Sequence, residues 1–218
     1  MPESTELSLL PNKEEINKLP LFKNLDASHI YVLSSLKDCL PLQYELVTAT
    51  VLGFDSESKP TFRRGEISTG PHLIQLATAE KVFLFQLNPD ILNFLKPILA
   101  NQKQVKVGFG LKNDVHLFQK KGIELQSTVE LSKCFSAFGF KQPIGLKNAV
   151  ALLFQQNFPK FKKISISDWS NMRLSSTQIG YAAADVYAAL LVFQELRKRS
   201  LLPEHTLRLL EQVNCLDQ

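Results

Sequence analysis

Two apolar runs, HLIQLATA over residues 72–79 and KVFLFQL over 81–87, are separated by Glu80 alone. Each has the length and apolar pattern of a strand. A parallel pair needs a crossover of a dozen or more residues, so two strands this close in the chain form an antiparallel hairpin. A purely parallel sheet is therefore excluded. Before the hairpin, LVTATVLGFDSE (46–57) reads as a further strand. After it the pattern alternates. NPDILNFLKPILA predicts a helix with Asn88 as N-cap and Pro89 at its first position. QVKVGFG (104–110) predicts a strand, and KNDVHLFQKKG a helix closed by Gly122. STVELSKC begins as a short strand, and GLKNAVALLFQQ is an amphipathic helix. The longest helix is SSTQIGYAAADVYAALLVFQELRKRS, with Ser176 as N-cap and a basic last turn that suits the helix dipole. PEHTLRLLEQV closes the chain as a helix. This order predicts an α/β fold, a mixed β-sheet with helices on both faces.

The 218 residues suffice for one substantial domain. Residues 1–45 read as a lead-in of short helical pieces broken by Pro20 and Pro41, 46–200 as the main domain, and 201–218 as a C-terminal helix packed on it. Cys39, Cys134 and Cys215 are odd in number, far apart and free of any CxxC pattern. They read as reduced thiols of a cytoplasmic protein and not as a disulfide framework or zinc site. No basic segment precedes an apolar run at the N-terminus, so a signal peptide is not expected. No membrane span is expected either, because the most apolar stretch carries Asp185 in its middle. The net charge of +4 is compatible with a nucleic-acid partner without arguing for one.

The acids carry the chemistry. Asp55 and Glu57 are two apart at the end of a strand and so share a face. Carboxylates that converge repel, and a hard divalent cation removes the conflict. Solvation at the strand's end is the simpler alternative. Asp114 follows GFGLKN where a strand enters a helix, a position the helix dipole alone would favour. Asp185 lies within an apolar helix face, one turn after Tyr181. A buried charge there needs a metal or a partner, and Tyr181 is one available partner. Taken together, the acids suggest a two-metal hydrolase, in which paired cations stabilise the attacking and leaving oxygens of a phosphodiester.

The ordered segments FDSE, VGFGLKND and YAAAD resemble the three exonuclease motifs of the DEDDy-type 3′–5′ exonucleases, in the ribonuclease-H-like superfamily. GPHLIQLAT and SDWSNMRLSSTQIGYAAADVYA are similar to the family's joining segments, and the resemblance spans residues 46 to 200. It implies a ribonuclease-H-like mixed β-sheet with one antiparallel strand. It implies metal-dependent removal of nucleoside 5′-monophosphates from the 3′ end of DNA or RNA, with two ions of Mg²⁺ or Mn²⁺. By position, Asp55 would bridge both ions, Glu57 and Asp185 would complete the first site, and Asp114 would hold the second, through water. Tyr181 would orient or help deprotonate the attacking water. Two positions depart from the family. Arg173 stands where the family has Pro, and Ser56 fills the middle of the first motif, where it is expected to face away from the metals with little effect. Lys160, Lys162 and Lys163, with Arg63 and Arg64, are candidate phosphate contacts, while Trp169 and His72 are expected to be structural. A nucleic-acid-binding scaffold that kept the fold without turnover is the competing expectation.

Overall fold

Strand β2 (Val51–Glu57) lies inside a six-stranded sheet and ends in the acid pair. The computed structural model describes residues 10–61, 65, 67, 69–159 and 162–215. In chain order the elements are α1 (Lys13–Lys18), β1 (Ile30–Leu33), α2 (Leu36–Cys39), α3 (Gln43–Thr48), β2, β3 (Leu73–Ala77), β4 (Val82–Gln86) and α4 (Pro89–Leu99). They continue with β5 (Val105–Gly108), α5 (Leu111–Lys120), β6 (Thr128–Glu130), α6 (Leu146–Phe154), α7 (Lys162–Ser165), α8 (Ser176–Lys198) and α9 (Glu204–Cys215). The sheet order is β1-β4-β3-β2-β5-β6. β3 pairs antiparallel with both β2 and β4, and every other pairing is parallel. The hairpin read from the sequence is β3–β4.

Three local readings are corrected. Residues 46–48 are the last turn of α3, and the strand starts at Val51. The carbonyls of Leu46 and Ala49 both accept from the Gln104 carboxamide, at 2.7 and 2.6 Å, so a tertiary contact closes the helix where β-branched residues favoured a strand. Within the segment read as helical lead-in, Ile30–Leu33 is the edge strand, parallel to β4. The N-cap of α8 is Ser175, one residue before the expected Ser176. Its hydroxyl accepts from Gln178 N–H, and the Gln178 side chain accepts from Ser175 N–H.

Each face of the sheet has its own apolar layer. One holds Leu73, Ala77, Val105 and Val107 under α6, α8 and α9. The other holds Leu52, Phe54, Ile74, Phe83 and Phe85 under α4 and α5. α8 is long and apolar enough to cross a membrane by length and composition, yet half of that window is buried in the domain. Its small side chains, Ala182, Ala183, Ala188 and Ala189, bring its backbone down onto the sheet. Gly53 completes the fit, since a Cβ there would lie 2.6 Å from the Val186 carbonyl oxygen. Lys106 is fully buried in β5, its ammonium donating to the carbonyls of Asn101 and Gln104 at 2.7 Å each. Burial pulls that ammonium down to about 7. Cys39 and Cys134 are buried free thiols.

Candidate active site

Alternation along β2 decides which acids meet. Gly53 faces α8, so Asp55 and Glu57 face α8 as well. α8 lays Asp185 over them, and carboxylate oxygens of Asp55, Glu57 and Asp185 lie within 4.8 Å of one another. Tyr181, one turn before Asp185, hydrogen-bonds to the Asp185 carboxylate. All four residues are partly exposed, as a site open to substrate requires. Asp114 stands outside this cluster. It comes from the first turn of α5, on the other side of the sheet, and its charge still reaches Asp55 and Glu57.

The electrostatics are those of acids crowded together. Burial, then Asp185, then Glu57 and Asp114 hold the Asp55 carboxyl well above the usual carboxylate range. Burial, then Asp185 and Asp114 push Glu57 to about 8. Burial lifts Asp114 to about 6, against a hydrogen bond from Ser56 that favours the ionised form. Burial and the neighbouring acids drive the Tyr181 hydroxyl upward, so it stays protonated and acts as a hydrogen-bond donor. Three converging hard-oxygen donors destabilised by mutual repulsion fit a divalent cation of the magnesium type. Gln75 agrees with this. It lies across from Asp55 in register, is fully buried, and neither carboxamide atom has a hydrogen-bond partner among the described residues. Such a group needs polar company of the kind a hydrated cation brings.

The rest of the wall holds Tyr181 in place. Trp169 is 1% exposed and packs its ring 6.2 Å from that of Tyr181, so it is a packing residue. Gln178 donates to Ser167 Oγ at 2.9 Å and the Asp168 carbonyl at 3.2 Å, tying the segment before α8 to its first turn. His72 accepts from Lys59 N–H at 3.0 Å through Nδ1 and pairs with Thr69 through Nε2, and burial lowers its pKa. It is a neutral structural histidine. Lys163 is exposed. Arg63, Arg64 and Lys160 lie outside the described residues, as does the side chain of Lys162.

Two residues near the acids escaped the sequence reading. Gln75 carried a usable signal, a lone carboxamide within the apolar LIQLA strand. Ser56 does face away from Asp55 and Glu57, as alternation requires, but the far side is where Asp114 arrives. The Ser56 hydroxyl donates to Asp114 Oδ1. The sequence reading did not foresee this bond, because a strand pattern cannot show which helix packs beneath it.

A family model described as 3′–5′ exonuclease matches residues 34–200. The chain is 31% identical over 166 residues to the bifunctional 3′–5′ exonuclease/ATP-dependent helicase WRN of Mus musculus, covering 71% of this chain and 11% of that protein. It thus spans about a tenth of that relative's length. Among solved structures, the Nibbler EXO domain of Aedes aegypti aligns with a TM-score of 0.71 at 24% identity, over 85% of this chain and 97% of that one. The Trypanosoma brucei RNase D complex with RNA U12 aligns with a TM-score of 0.66 at 20% identity, over 84% and 64% of the two chains. The converging acids of β2 and α8 thus lie within the matched segment, on the same fold as these exonuclease domains, and the chain belongs to the 3′–5′ exonuclease family.

Proposed function

We propose that this protein hydrolyses phosphodiester bonds stepwise from the 3′ end of a nucleic-acid strand, releasing nucleoside 5′-monophosphates. The observation that carries this reading is the convergence of Asp55, Glu57 and Asp185 within 4.8 Å, with Tyr181 hydrogen-bonded at its edge. Asp55, Glu57 and Asp185 would hold one Mg²⁺ or Mn²⁺, and Asp114, together with Asp55, would hold a second. When bound, the cations lower the pKa of the attacking water and offset charge on the leaving oxygen.

The protein's part is placement. β2 and α8 are locked at close range by Gly53, so three carboxylates are positioned before substrate arrives and little reorganisation is left to the reaction. Tyr181, protonated and braced by Trp169, offers a fixed O–H to the reacting oxygens and orients the water. Burial and its acidic neighbours oppose loss of its proton in the metal-free site. Lys160, Lys162, Lys163, Arg63 and Arg64 supply positive charge for the phosphates behind the scissile one.

RNA is the nucleic acid named for one structural neighbour. Matched 5′-labelled DNA and RNA single strands, digested side by side with Mg²⁺ and with Mn²⁺, test the proposal and rank the substrates. Ladders shortening from the 3′ end, stopped by EDTA, are expected. Strand binding with no shortening under either metal would leave a scaffold and remove the enzyme.

A further inference from the structure

The two sides of the site are held by different means. On the α8 side the acids share one face. On the α5 side the fit is made by two stacked pairs. Phe54 and Ser56 lie on the same face of β2, two residues apart, and Asp114 and Phe118 lie on the same face of α5, one turn apart. Phe54 and Phe118 meet edge to face, with centroids 5.9 Å apart. The next pair along is Ser56 with Asp114, joined by the hydrogen bond from the Ser56 hydroxyl. The close approach depends on Gly108 at the end of β5. A Cβ there would fall 2.3 Å from the Phe54 carbonyl oxygen and 2.6 Å from Leu111 Cδ2. The turn into α5 therefore rests directly against β2, and Asp114 can reach past the end of the strand.

We propose that Ser56 is a positioning residue for Asp114, which fixes that carboxylate's orientation so that Oδ1 is held by the protein and Oδ2 is presented to the second cation. This inference rests on the two-cation reading above and adds to it a residue on the opposite face of the strand. A free aspartate in the first turn of a helix can swing to cap the helix's own N–H groups. Here the Asp114 carboxylate does accept from its own backbone N–H, and Ser56 adds a second anchor from the neighbouring strand that, as a donor, favours the ionised form a cation requires. The partners that orient a metal ligand commonly matter to affinity by about 10–100-fold when removed.

The test is a Mn²⁺ titration of the full chain, followed by the electron paramagnetic resonance signal of free Mn²⁺, for the natural protein, Ser56→Ala, Ser56→Thr and Asp114→Asn. Circular dichroism of each metal-free protein accompanies it. The natural protein is expected to take up two ions. Ser56→Ala is expected to keep the tighter site and weaken the other about tenfold or more, and Ser56→Thr, which retains the hydroxyl, to restore it. Two sites of natural affinity in Ser56→Ala would overturn the role of Ser56. So would equal weakening of both sites, with a loss of helical signal, which marks a packing residue. Uptake of a single ion by the natural protein, or two intact sites in Asp114→Asn, would overturn the two-cation reading and this inference with it.

Discussion

The carbonyl oxygen of Val186 occupies the space above Gly53, 2.6 Å from where a Cβ would stand. Gly53 is two residues before Asp55, and Val186 directly follows Asp185, so this one approach sets the distance between the strand's acids and the helix's acid. The obstruction is backbone, with Ala77 Cβ and Leu190 Cβ at 3.1 and 3.2 Å behind it, and it cannot rotate away. Gly53→Ala is expected to lift α8, costing about 1–3 kcal/mol of stability and reducing activity more than the melting temperature suggests. Thermal unfolding and a strand-shortening assay on the same sample check this. Activity close to natural in a folded Gly53→Ala would mean that the α8 approach does not govern the site.

The clustered acids work against the metal-free fold. Glu57 moves from its ordinary 4.5 to about 8 and Asp114 from 3.8 to about 6. Both are raised, so the folded state holds protons that the unfolded state releases. Their contribution is fully present below about pH 4 and is lost as pH rises through about 6 and then about 8. In EDTA the melting temperature is expected to fall over this window, and saturating Mg²⁺ to restore more at pH 8 than at pH 5. Asp55→Asn is expected to melt higher than the natural protein in EDTA at pH 8, by about 2–4 °C for each kcal/mol of repulsion relieved. A lower melting point for that variant would show that Asp55 supports the fold and does not strain it.

Tyr181 is expected to act on turnover and not on substrate affinity. Tyr181→Phe keeps the ring that packs against Trp169 and removes only the hydroxyl. A fall in kcat of about 10²–10³-fold, with KM little changed, is the expected split. A rise in KM at natural kcat would make Tyr181 a binding residue.

The sequence resolved those parts of the site that depend on short-range pattern. Asp55 and Glu57 share a face because a strand alternates, and Tyr181 and Asp185 share one because a helix turns, so both pairs were readable in one dimension. The antiparallel β3 followed from a connection too short for a crossover. What escaped depended on partners distant in sequence. Residues 46–48 are helical because Gln104 takes the carbonyls of Leu46 and Ala49. Strand β1 exists because β4 offers it an edge. Ser56 bonds to Asp114 because that residue, 58 positions away, is brought to its side of the sheet. Gln75 could have been noticed as a carboxamide in an apolar strand, but its place beside Asp55 required the β2–β3 register.

The central claim, that the acids of β2 and α8 cut nucleic acid from its 3′ end with divalent cations, is tested most directly by digestion of a 5′-labelled single strand by the natural protein and by Asp55→Asn. The expected result is a ladder descending one nucleotide at a time in Mg²⁺ or Mn²⁺, abolished by EDTA and absent in a fully folded Asp55→Asn. An unshortened strand with both metals, or equal ladders from the two proteins, would contradict it.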